Sequence, residues 1–124
     1  GIKNPKDFYR AQYAEALILM GHYGQANAKL DKVADGNREK FWWQRKAQAL
    51  LGLKQGEQAL EAINNAIAGL TDDKNRPAFL TDRYRIRSLL SDPMAREDLK
   101  AAIDNLLPGD KYRLSLEKEL AQLV

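Results

Sequence analysis

The chain contains no cysteine, which removes disulfides, thiolate nucleophiles and iron–sulfur ligation. It has a single histidine, His22, so no ligand set for a structural zinc site is in view. No run approaches the roughly 18 consecutive apolar residues of a membrane-spanning helix. The opening stretch, GIKNPKDFYR, lacks the apolar core of a signal peptide. Charge of one sign is also scarce: 20 basic side chains against 17 acidic give +3. That balance does not by itself ask for nucleic acid, which wants a clustered basic stripe. β-Branched residues are few and no segment alternates with period two for long, so no sheet is expected. These absences lead to the expectation of a protein without cofactor, metal or membrane association, in a setting for which the cytoplasm is favoured. The chain begins on Gly1 rather than Met, which we read as a domain excised from a longer protein, with Gly1 a cloning scar.

What is present is a helical pattern. Apolar residues make up 44% and charged residues 30% of 124, the make-up of one globular domain. Asn4-Pro5 reads as a helix start, Asn as cap and Pro at the first helical position, with Asp7 favoured in the first turn. That helix runs to Met20 and ends at Gly21. A second runs from Tyr23 to Asp35, and Asp35-Gly36-Asn37 turns the chain, with Asn37 as cap of a third helix over 38–53. Its buried side is read as Trp43, Ala47, Leu50 and Leu51, with Trp42 partly exposed. A fourth helix opens near Gln55-Gly56. The polar stretch 71–75 precedes a fifth over 76–91. Asp92-Pro93 opens a sixth, Pro108-Gly109 stops it, and Asp110 caps a seventh on which Leu116, Leu120 and Leu123 share a face.

Three helices carry the same offsets. Ala26, Leu30, Val33 and Ala34 lie at i, i+4, i+7 and i+8; so do Ala59, Ile63, Ala66 and Ile67, and Ala95, Leu99, Ala102 and Ile103. The preceding helices align with them: Arg10, Trp43 and Phe79 lie sixteen residues upstream of the opening Ala, Ala14, Ala47 and Arg83 twelve, and Leu17, Leu50 and Ile86 nine. A helix–turn–helix unit at this period resembles the tetratricopeptide repeat. Gly21-x-Tyr23-x-x-Ala26 matches that family's turn signature. The resemblance covers about residues 5–106, with Arg10 and Arg83 as departures. Arg83 stands where a small residue belongs, so either the third hairpin splays or the phase is wrong there. The fold expected is all-α: a right-handed stack of three antiparallel hairpins (about 5–36, 37–71 and 75–106) and a capping helix over 110–123, seven helices in all.

The residues offer little chemistry. His22 sits in a turn, either as a proton shuttle or as a plain solvent-facing residue. Asp72-Asp73 and Glu97-Asp98 are adjacent pairs that do not converge on a substrate as acid–base catalysis requires. No nucleophile elbow or phosphate loop is present, so no enzyme is expected. Lys74, Arg76, Arg83, Arg85 and Arg87 form a basic cluster, suited to an acidic segment or to phosphates, or else a face balanced by Asp92, Glu97 and Asp98.

The resemblance implies a groove lined by the first helix of each unit that holds an extended peptide. Carried over, its candidate residues are Phe8 and Glu15, then Phe41, Gln44 and Gln48, then Tyr84 and Arg87. The family's clamp for a C-terminal carboxylate is not expected, because Ala11, Glu15 and Gln44 stand in its places. The function expected is a protein-interaction module for a protein or peptide partner. The alternatives are a structural spacer, a groove filled by the cap helix, or a nucleic-acid or acidic-segment binder using the helix-five arginines.

Overall fold

A computed structural model describes residues 5–72 and 74–123. Among them are seven α-helices and no strand: α1 (Pro5–Leu19), α2 (Tyr23–Asp31), α3 (Lys40–Gly52), α4 (Gly56–Ala68), α5 (Arg76–Leu89), α6 (Ala95–Asp104) and α7 (Lys111–Gln122). No helix among them is long and apolar enough to cross a membrane. The expected Asn4 cap and Asp73 lie outside the described residues. Consecutive helices pack together, and α3 also touches both α1 and α5, so α1, α3 and α5 form a row.

Each joint between an odd helix and the next even helix has the same construction. The last turn of α1 closes with Gly21 N–H donating to Ile18 O (3.0 Å) and His22 N–H to Leu17 O (2.8 Å). Lys54 and Gln55 repeat this on Leu51 and Leu50, and Ser91 and Asp92 on Ser88 and Arg87. This is the Schellman arrangement, which needs a left-handed residue one place past the helix. Gly21 (φ 81°), Lys54 (φ 63°) and Ser91 (φ 55°) supply it. Glycine does so without steric cost; Lys54 and Ser91 do not.

These joints set the phase of the repeat. From Lys54 to Ala59 is five residues, as from Gly21 to Ala26, but from Ser91 to Ala95 is four. Counting back from Ala95 therefore misplaces α5 by one residue. In phase, Tyr84 rather than Arg83 is the counterpart of Ala14 and Ala47. Arg83 is the counterpart of Lys46, whose ammonium reaches Asn27 and Asp31 on the preceding helix α2. Arg83 likewise donates to Asn64 Oδ1 on the preceding helix α4 (3.0 Å). The third hairpin does not splay: α5 and α6 pack closely along their length.

The core falls into three clusters, each shared by neighbouring helices. Ala14, Leu17, Ala26, Leu30, Val33, Trp42 and Ala49 join α1, α2 and α3. Ala47, Leu50, Ala59, Ile63, Ala66, Phe79 and Ile86 join α3, α4 and α5. Leu80, Tyr84, Leu99, Ala102, Ile103 and Leu116 join α5, α6 and α7. Because α3 packs on both sides, it has two apolar stripes, and the single-stripe expectation for its tryptophans is reversed. Trp42 is 2% exposed and donates its indole N–H to Leu30 O (2.9 Å), whereas Trp43 is half-buried between two clusters.

Two further expectations change at the first inter-hairpin turn. α2 stops at Asp31, and residues 35–37 form a short 3-10 turn. The buried Asp7 carboxylate accepts from Ala34 N–H (3.1 Å), Asn37 Nδ2 (2.8 Å) and Arg10 (2.9 Å), pulling the chain out of helix and back to the start of α1. The amide of Asn37, and then the N–H of Ala34, hold its carboxyl below the ordinary range. Asn37 is thereby committed, and Glu39 caps α3, accepting from Phe41 N–H (3.0 Å) and Trp42 N–H (3.1 Å). Asp110 caps α7 through Tyr112 N–H as expected (2.8 Å). Asp92 accepts from Met94 N–H (2.9 Å) ahead of α6, which begins at Ala95.

Candidate interaction surface

The row of α1, α3 and α5 places its candidate residues along one side of the molecule, where polar pairs stitch successive helices. Glu15 accepts from Arg45 Nη2 (2.9 Å), joining α1 to α3. Gln44 and Gln48, one turn apart on α3, both donate to Asp82 Oδ2 on α5 (2.9 and 3.2 Å). Arg85 reaches Glu119 on α7 (3.4 Å). Asp82 is half-buried at the bottom of this seam, and its desolvation pushes the carboxyl up to about 6 even though both glutamines and Arg85 act in the opposite direction.

The sequence-derived site residues separate into two groups. Phe8 (46% exposed), Glu15, Gln44 and Gln48 lie on or beside the seam, Phe8 edge-on to Tyr9. Phe41 is half-buried, its ring edge-on to Phe79 at 5.9 Å, so it belongs more to packing than to a free surface. Tyr84 is 8% exposed, enclosed with Leu80 and Leu116. Burial, and then the nearby Glu119, push its phenol upward. Arg87 is also withdrawn: its Nη1 donates to Asp98 Oδ2 (2.8 Å) and its Nε faces Asp92 Oδ2 at 3.6 Å. The physical reason is the phase of α5, which turns Tyr84 and Arg87 toward α6 and α7.

The basic cluster is largely consumed inside the fold. Asp98, 3% exposed, holds Arg83 and Arg87 together, with Arg83 Nη2 2.9 Å from Oδ1. Arg85 is paired with Glu119, whereas Glu97 faces Lys100 (3.9 Å) rather than α5. Arg87 and Asp98 stand where the second hairpin has Leu50 and Ala62, so an ion pair replaces an apolar contact. His22 is exposed and its side chain caps nothing.

Asp98 and Asp92 supply the balance to the helix-five arginines that the sequence offers as one reading, whereas the ties of Asp7 to residues 34 and 37 and of Asp82 to Gln44 and Gln48 are not read from the sequence. Asp82 carried a signal, being the single acid among four arginines on α5. Asp98 lies three residues after Ala95 and so on the inward face. No group of three or more histidine or carboxylate side chains among the described residues is placed to hold a metal ion. Compared with protein-family models and with curated proteins, the chain matches none.

Proposed function

We propose that this chain is a protein-interaction module, built as a stack of three tetratricopeptide-like hairpins closed by α7. The observation that carries the reading is the same Schellman closure at residues 21, 54 and 91, which turns each odd helix back into the next even one. A stack of this kind aligns its odd helices along one face, and stacked units bury a continuous core that no single hairpin could form. Such a surface is preorganised, so a partner loses little entropy in ordering it. The usable part of the face is its α1–α3 end, with Phe8, Glu15, Gln44 and Gln48, because α7 covers Tyr84 and engages Arg85 at the other end.

The nucleic-acid alternative loses its main support, since Arg83, Arg85 and Arg87 already face carboxylates. The test compares the wild-type chain with a Phe8→Ala, Glu15→Arg double variant as immobilised baits, after circular dichroism confirms equal helix content. The same partner should be retained by the first and lost by the second. An unchanged set of retained proteins would remove this face from consideration.

A further inference from the structure

The outward face of α1 is an unfilled copy of an interface that occurs twice inside the molecule. Trp42 and Phe79 occupy equivalent places near the starts of α3 and α5. Both face the preceding even helix and are 2% and 1% exposed. One turn on, Lys46 and Arg83 reach across to acceptors on that helix, Asn27 and Asp31 in one case and Asn64 in the other. Ala49 and Ile86 follow, each fully buried. In the same phase α1 carries Tyr9, Tyr13, Ala16 and then Met20, at i, i+4, i+7 and i+11, hence on one helical face. Here no helix among the described residues packs over them: Tyr9 is 67%, Tyr13 55% and Met20 61% exposed. Among the described residues, three of the eleven large apolar side chains left exposed, Tyr9, Tyr13 and Met20, lie on this one stripe, a concentration that marks a binding patch rather than scattered surface apolarity.

The chemistry of the rim says what fits. A hollow of about 330 Å³ beside this stripe is lined by Lys6, Tyr9, Arg10, Tyr13 and Lys29. Its titratable groups other than tyrosine are all cationic. Arg10 is turned inward to Asp7 and to Lys32 O. Lys29 lies over the Tyr13 ring, 5.2 Å from its centre, with no carboxylate partner among the described residues. A second copy meeting the stripe with its own α1 would bring another Lys29 to the hollow, whose lining holds no carboxylate. A copy arriving with the outer face of α7 would bring Lys111 and Lys118, which are exposed there. Both arrangements are penalised by like charge.

We infer that this face docks an amphipathic helix of a partner protein, with small and aliphatic residues against Tyr9, Tyr13 and Ala16 and acidic residues flanking them toward Lys29. The docked helix takes the place that α2 takes on α3. This surface is separate from the α1–α3–α5 seam and does not depend on it.

The probe is a labelled synthetic helix of about 20 residues, long enough to hold its fold, with Leu and Ala on one face and Glu on both flanks. A second peptide replaces every Glu with Lys. Fluorescence anisotropy should show binding of the acidic helix alone, weakening as salt is raised. Tyr9→Ala with Tyr13→Ala should lower affinity by roughly tenfold or more, as removal of aromatic anchors does. Lys29→Glu should lower it as well, while Glu15→Arg on the seam should leave it unchanged. The inference is overturned if the acidic helix does not bind, if both peptides bind alike, or if the tyrosine variants bind as wild type. It is also overturned if sedimentation equilibrium finds a dimer that the tyrosine variants dissolve, for then the occupant is a second copy.

Discussion

Replacing Asp82 with Asn should stabilise the protein at neutral pH and do nothing in acid. The folded carboxyl titrates at about 6 and its unfolded counterpart at 3.8, because burial beneath α3 favours the neutral form. Between those values the folded chain binds more protons than the unfolded one, so stability falls as pH rises through the window. Below 3.8 both states hold the proton and there is no effect; above about 6 the penalty is complete. A lift from 3.8 to about 6 corresponds to as much as about 3 kcal/mol. Asn is neutral at every pH and can still accept from Gln44 or Gln48. The assay is urea unfolding followed by circular dichroism from pH 4 to pH 8, for wild type and Asp82→Asn. The variant should gain at pH 7.5 up to the value above, and the two curves should converge toward pH 4. A variant less stable than wild type at pH 7.5, or a difference that does not change with pH, would refute the reasoning. It would mean that the two glutamine bonds, not desolvation, govern this carboxylate.

Three other substitutions address the hairpin joints and the third unit. Asp98→Ala strands the guanidinium groups of Arg83 and Arg87, which are only 22% and 16% exposed, and should cost about 3 kcal/mol in urea unfolding. The cost should fall well below that in an Arg83→Ala, Arg87→Leu background, and an equal cost there would show that Asp98 acts through something other than this pair. Lys54→Gly relieves a left-handed side chain and should raise stability by about 1 kcal/mol, while Gly21→Ala at the equivalent joint should lose a similar amount. Thermal melts read both, and a destabilised Lys54→Gly would mean that its backbone is not left-handed in solution.

Much of this arrangement was legible in the sequence. Helix number, the three Ala-led helices, the Gly21 stop and the Asp110 cap all follow from local rules of period and capping, which operate within a few residues. What failed depended on contacts over longer separations. Asn37 looks like a cap by position, but Asp7, 30 residues earlier, claims its amide. Trp42 looks exposed if α3 has one buried side, and becomes the most enclosed aromatic of that helix once α2 is packed against it. Tyr84 and Arg87 were assigned to the groove by counting back from Ala95, which presumes that the turn keeps its length. A joint one residue shorter rotates α5 by about 100° relative to that count. A one-residue slip therefore moves a side chain from one face to another, and no local signal reports it. The seam acid Asp82 stands out among the arginines of α5, but its role does not, since its glutamine donors lie on α3.

The third hairpin then shows how a repeat absorbs a change that would be costly in isolation. Where the second unit brings Leu50 against Ala62, the third brings Arg87 against Asp98, and where the second has Ala47, it has Tyr84. Either change alone would bury an unpaired charge or overfill the crossing. Together they are consistent, because Asp98 pairs with Arg87 and Arg83 at once while Tyr84 finds room against Leu116 of α7. The α5 end of the row is thus matched to α7, both in charge and in volume. At the other end α1 keeps the unmodified pattern of a helix expecting a neighbour, with Tyr9 and Tyr13 where Trp42 and Lys46 meet α2. For the acidic helix proposed above, Lys29 over the Tyr13 ring supplies the charge that selects it.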